Sequence, residues 1–206
     1  MTGHDKNAAT VHVVDDDPSV RKSLTRLLTM EGFAVVAHSS AAAFLDTYLR
    51  DRPGCLIVDL QLPGMDGLEL QKSLADVNCH LPTVFISGHG SIPSTVEAMK
   101  GGAVDFITKP FEEADLLAAV RGALEKDRAV RRERIVRKEV QGRYDSMTPR
   151  EQEVFTRIVV GMLNKEIGET MGISEKTVKV HRARVMAKME ADSLAELVRF
   201  AEKMGM

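Results

Sequence analysis

The chain has 206 residues, 44% of them apolar, with 28 Lys and Arg against 30 Asp and Glu. That suffices for one large or two small domains with their own cores, and no apolar run nears the roughly 20 residues of a membrane span. Two cysteines, Cys55 and Cys79, are too few for a disulfide framework or a four-ligand zinc site, and the polar N-terminus lacks a signal-peptide core, so the expected location is the cytoplasm.

The near-neutral total conceals a split. Up to Leu124 there are 10 Lys and Arg against 16 Asp and Glu, net −6; from Glu125 onward there are 18 against 14, net +4. An acidic half suited to cations precedes a basic half suited to a polyanion.

In chain order, residues 1–9 read as a tail. Residues 11–14, 34–37, 56–58, 83–87 and 104–107 are short runs rich in Val and Ile, as buried parallel strands are. Between them, 20–30, 41–49, 68–75 and 94–99 have helical length and amphipathic spacing, and another helix begins near Asp115. Five alternating units predict a doubly wound, flavodoxin-like α/β domain over 10–124, with ligands at the carboxyl ends of its strands. Residues 125–145 are dense in charge and free of Pro and Gly until Gly142. They predict a helical linker, either a solvated helix or a coiled-coil dimer stalk. From 146 to 206 a small all-α domain follows. Thr148, Pro149 and Glu151 form a helix-start signal, and helices are predicted at 149–160, 164–171, 175–189 and 194–204. The Gly172-Ile173-Ser174 turn between the middle two gives helix-turn-helix spacing.

The first strand ends in Asp15-Asp16-Asp17, the third in Asp59, the fourth in Ser87, and the fifth leads into Lys109-Pro110. The predicted topology puts these groups on one rim. Three acids gathered there need a hard cation, and Mg²⁺ prefers carboxylate and carbonyl oxygens. Asp59 can act as a phosphoryl-accepting nucleophile. Asp15 and Asp16 are candidate metal ligands beside it, Lys109 supplies a fixed positive charge, the Ser87 hydroxyl can bond a phosphoryl oxygen, and the Gln61 carbonyl is a candidate extra ligand, roles that the resemblance described next implies. A phosphatase or phosphotransferase is the competing class, but neither a substrate cap nor a Gly-rich phosphate loop is visible.

Asp15-Asp16, Asp59, Ser87 and Lys109-Pro110 resemble the receiver signature of two-component response regulators over about residues 10 to 124. The resemblance implies a cis Lys109-Pro110 bond, phosphorylation of Asp59 by a sensor histidine kinase, and self-catalysed dephosphorylation as a switch rather than a turnover enzyme. It also places Phe106 at an aromatic switch position, where an ordinary core Phe is the other reading. Val96 and Lys100 are the expected surface for dimerisation.

In the C-terminal part, Ile167, Met171, Ile173, Val178, Val185 and Met189 supply an apolar stripe, while Lys176, Lys179, Arg182, Arg184 and Lys188 are expected on the remaining surface. Residues 163–167, 172–174 and 177–182, with Thr148-Pro149-Arg150-Glu151 and Gly161, resemble the LuxR-type DNA-binding domain. Together the two domains are similar to NarL/FixJ-family transcriptional regulators. That resemblance implies that Lys179 and Val180 approach bases and that Lys165, Thr177, His181 and Arg184 meet phosphates. Ala183 departs from members that carry a basic residue there. Duplex DNA, a second copy of the chain and the kinase are the expected partners, RNA polymerase is a further candidate, and no membrane is expected. A bundle that contacts protein instead of DNA is the competing reading, distinguished by a shallow salt dependence of DNA binding.

Overall fold

The computed structural model describes residues 9–49, 51–88 and 91–206, so the expected tail lies outside the described residues except for Ala9. Two compact units divide between Val130 and Arg131.

The N-terminal unit carries strands β1 (Thr10–Val14), β2 (Ala34–His38), β3 (Gly54–Asp59), β4 (Thr83–Ser87) and β5 (Asp105–Thr108), all paired in parallel in the order β2-β1-β3-β4-β5. The helices α1 (Pro18–Met30), α2 (Ala41–Thr47), α3 (Gly67–Asp76) and α4 (Ile92–Lys100) alternate with them, and α5 begins at Glu113 and runs to Asp145. Every residue of β3 and β4 is buried. This explains their unbroken apolar runs, because a parallel strand covered on both faces has no solvent side to mark with polar residues. One face packs Val11, Val13, Ile57 and Ile86 against Leu24 and Leu28 of α1 and Leu116 and Val120 of α5. The other packs Val14, Leu56, Val58 and Phe85 against Phe44, Leu70, Leu74 and Ala98 of α2, α3 and α4. Burying each such Leu or Phe contributes about 1.5–3 kcal/mol, so the two layers hold the strand ends in place.

Two of the boundaries that differ from the periodicity have a local cause in the side chains around them. Helix α4 starts two residues before the expected Ser94, because the Ser91 side chain accepts the Ser94 amide at 3.3 Å and Pro93 sits in the first turn, where its missing N–H costs nothing. Strand β3 begins at Gly54 rather than Leu56, and its Gly54 amide donates to the buried Asp127 carboxylate at 3.1 Å.

The C-terminal unit contains α6 (Pro149–Val159), α7 (Asn164–Met171), α8 (Glu175–Met189) and α9 (Leu194–Met204). Its core gathers Val140, Val154, Phe155, Ile158, Ile167, Val178, Val185, Met189 and Leu197. The α7–α8 turn depends on two glycines. Gly172 adopts φ 65°, and a Cβ on Gly168 would stand 2.8 Å from the Ile173 carbonyl oxygen. In the charged part of α5, Val136 and Val140 pack on this C-terminal core, and Ile135 is the one large exposed hydrophobic between residues 125 and 145. Val136 and Val140 of the charged stretch therefore belong to the C-terminal core. Among the described residues, no helix is long and apolar enough to cross a membrane.

Candidate functional site

The parallel sheet brings the carboxyl ends of β1, β3 and β5 to one rim, and the first group to read there is Lys109. Its ammonium donates to Asp15 Oδ2 at 2.9 Å and to Asp59 Oδ2 at 2.5 Å. Asp15 is 1% exposed and Asp59 8%. Two buried carboxylates this close repel each other unless a cation stands between them, and Lys109 does so. Burial works against its ammonium, but the hydrogen bonds from Lys109 to Asp59 and Asp15 outweigh it and hold its pKa above the ordinary lysine value.

Backbone donors fix the other carboxylate oxygens. Asp15 Oδ1 accepts the Asp17 amide at 2.9 Å, and Asp59 Oδ1 accepts the Gln61 amide at 2.8 Å. Arg21, not anticipated from the sequence, donates to the Asp15 carbonyl at 2.7 Å. Ser87 is fully buried at the end of β4, and its carbonyl accepts the Lys109 amide at 2.7 Å. The Lys109-Pro110 peptide is cis. Phe106 is half-buried and its ring stacks on Phe85 with centroids 6.1 Å apart.

The expected gathering of three acids is not what forms. Asp16 is exposed, and among the described residues no group of three or more His, Cys, Asp or Glu stands close enough to hold a metal ion. The reason is that Lys109 already neutralises Asp15 and Asp59, while Asp17 turns away to cap α1 by accepting the Ser19 amide at 2.7 Å. The donor chemistry still suits a hard divalent ion, since the side-chain acceptors here are carboxylate oxygens.

Val96 and Lys100 are both exposed on α4, and Ile92 and Met99, missed by the sequence reading, extend the same apolar surface, with Ile92 82% exposed. On the C-terminal unit, Lys165, Thr177, Lys179, Val180 and Arg184 are exposed and His181 is half-buried, its Nδ1 buried without a hydrogen-bond partner. The Thr177 hydroxyl is engaged by the Ser174 hydroxyl at 2.8 Å, and Lys179 pairs with Glu175 at 3.1 Å.

Lys188 corrects the expectation of a basic surface along all of α8. Its ammonium donates to Glu151 Oε2 at 2.8 Å and to the Ser146 carbonyl at 2.9 Å. Glu151 is 3% exposed and also accepts the Thr148 amide at 2.9 Å. The bond from Lys188, and then that from Thr148, draw its pKa down to about 2. Lys188→Ala is therefore expected to cost the C-terminal unit about 1–2 kcal/mol, a value discounted because the lysine side chain is 35% exposed. Since the carboxyl is depressed when folded, the pair's stabilisation holds above pH 4.5 and fades as pH falls toward about 2. Urea unfolding followed by Tyr144, whose ring packs on Phe155, checks this; an unchanged midpoint at neutral pH contradicts it.

Comparison with known proteins agrees with this two-part geometry. Residues 11–121 match the response regulator receiver domain, and residues 145–201 match the bacterial regulatory proteins of the luxR family. Nodulation protein W of Bradyrhizobium diazoefficiens is 46% identical over 96% of this chain and 87% of its own length. The transcriptional regulatory protein FixJ of Rhizobium meliloti is 47% identical, covering 93% of this chain and 94% of its own. Among solved structures, the response regulator StyR superposes with a TM-score of 0.84 at 44% identity, over 95% of this chain and 99% of that one. The chain thus belongs to the NarL/FixJ family of response regulators, transcriptional regulators in which a receiver domain precedes a LuxR-type DNA-binding domain.

Proposed function

We propose that this chain is switched in the cytoplasm by phosphorylation of Asp59 from a partner histidine kinase, and that the switch controls dimerisation and sequence-specific binding to duplex DNA. The observation that carries the reading is the Lys109 ammonium held between Asp59 and Asp15 at the strand rim. In the transfer, an Asp59 carboxylate oxygen attacks phosphorus, the bond from phosphorus to the donor histidine nitrogen breaks, and the electron pair returns to the imidazole. Lys109 stays beside the acyl phosphate and offsets its charge. The Ser87 hydroxyl is drawn to a phosphoryl oxygen, and Phe106 follows into the space released. Asp15, Asp59 and the Gln61 carbonyl, with Asp16 turned in from its exposed position, would hold Mg²⁺, which when bound would neutralise the phosphoryl oxygens. Reversal by water is self-catalysed, so the chemistry serves switching.

In the same reading, the receiver spans 10–124, a helical linker 125–145 and the DNA-binding domain 146–206. The α4 surface with Val96 and Lys100 meets a second copy, and α8 enters the major groove. Lys179 and Val180 approach bases there, while Lys165, Thr177, His181 and Arg184 meet phosphates. RNA polymerase is a further partner on this account.

The experiment measures DNA binding and oligomer mass with and without Mg²⁺ and a small phosphodonor, for the parent and for Asp59→Asn. Tighter DNA binding or a dimer in the parent alone is the expected result. Equal responses from the two proteins remove Asp59 as the switch.

A further inference from the structure

The outward face of α8 is unexpectedly apolar for a helix that meets a polyanion. Val178, Val185 and Met189 are buried on its inner side. Lys176, Val180, Ala183 and Ala187 follow at spacings of three and four residues, all are exposed, and they form the row farthest from that inner side. Val180 is 46% exposed. The cations lie around this row. Lys176 stands at its N-terminal end and Arg184 beside it, both exposed, while Lys179 reaches along its other flank to Glu175. Arg182 donates to the Asn164 side-chain oxygen at 3.2 Å and Lys188 is tied to Glu151, so neither is directed outward along the middle of the helix.

A basic rim around an apolar centre matches the chemistry of one place in duplex DNA. Phosphates flank the major groove, and the thymine C5-methyl is the one apolar group that a base pair presents there. A guanine edge offers only acceptors to such a centre, and contact with Val180 or Ala183 strips water from them without replacing the hydrogen bonds. We propose that Val180 and Ala183 read thymine methyl groups, so that each half-site places T·A pairs against the middle of α8. This rests on the reading of α8 as the helix that enters the major groove, and it assigns Ala183 a specificity role that a basic residue there could not fill.

The test selects duplexes from a random-sequence library with the full-length protein, in the presence of Mg²⁺ and phosphodonor. Each thymine of the selected half-site is then replaced in turn by uracil, which removes only the methyl. One or two positions are expected to lose about fourfold in affinity, the value for burying one methyl group. The same positions should lose that sensitivity in Val180→Ala, whose exposed site leaves the fold intact, and Ala183→Lys should shift the selected pair toward G·C. If binding is sequence-selective but every uracil substitution changes affinity by less than about twofold, methyl reading is wrong while DNA binding stands. If no duplex is preferred over random DNA, both readings fall.

Discussion

Replacing Lys109 with methionine is expected to destabilise the receiver by about 2–4 kcal/mol and to make its stability depend on Mg²⁺. Methionine keeps the length of the side chain and removes its charge. Asp15 and Asp59, almost entirely buried, then face each other with no cation between them, although each keeps one backbone hydrogen bond. Breaking a buried ion pair by removing one partner costs about 3–5 kcal/mol; the Lys109 side chain is 23% exposed, and the lower range reflects that water already reaches it. A divalent cation can take over the neutralising role, and an ion present at about 100 times its dissociation constant restores about 2.7 kcal/mol. Urea titrations of the parent and of Lys109→Met, each with and without millimolar Mg²⁺, measure both effects. The chain has two tyrosines and no tryptophan, so a Tyr144→Phe background leaves Tyr48 as the reporter of the receiver. A midpoint unchanged by the substitution means that the two carboxylates are balanced by something other than Lys109, and a loss that Mg²⁺ does not recover means that the divalent ion does not take over its role.

This pocket was legible because its members sit where topology alone places them. Once five Val- and Ile-rich runs alternate with helices, the residues that end β1, β3 and β4 and follow β5 must share a rim, whatever the details of packing. What the pattern did not contain was how charge is distributed inside the rim. Asp15, Asp16 and Asp17 are identical in composition and consecutive in sequence, yet one is paired with Lys109, one is exposed and one caps α1. Those fates depend on tertiary neighbours. The same holds for Lys188, whose partner Glu151 lies 37 residues away and which in sequence reads like any other basic residue of α8. The linker was ambiguous for a related reason: Val136 and Val140 could serve a dimer seam or a local core in sequence, and their packing on the C-terminal core depends on residues far along the chain.

The histidines of the receiver went unnoticed in the sequence, and they give the second large effect. His12 and His38 occupy diagonal positions on β1 and β2, with His12 Nδ1 3.2 Å from His38 Nε2. Phe44 and Tyr48 meet the His12 ring edge-on, and Thr47 Oγ1 lies 3.4 Å from His38 Nδ1. Burial, and then the charge of His38, push the pKa of His12 down from 6.5 to about 4; burial also lowers that of His38. Because the folded protein disfavours the cation, the receiver keeps its full stability above pH 6.5 and loses it as pH falls from there toward about 4. A shift of that size corresponds to about 3 kcal/mol, reduced to about 2–3 kcal/mol because water reaches part of the ring. The loss also bears on the pocket, since the Asp15 amide donates to the His38 carbonyl at 3.3 Å and disturbance of β2 reaches the phosphoacceptor rim. Receiver stability measured across this range for the parent and for His12→Leu, with Tyr48 as reporter, isolates the contribution from that of the carboxylates. The leucine variant should show an acid limb shallower by about one proton, and superimposable pH profiles for the two proteins would rule out His12 as a source of acid sensitivity.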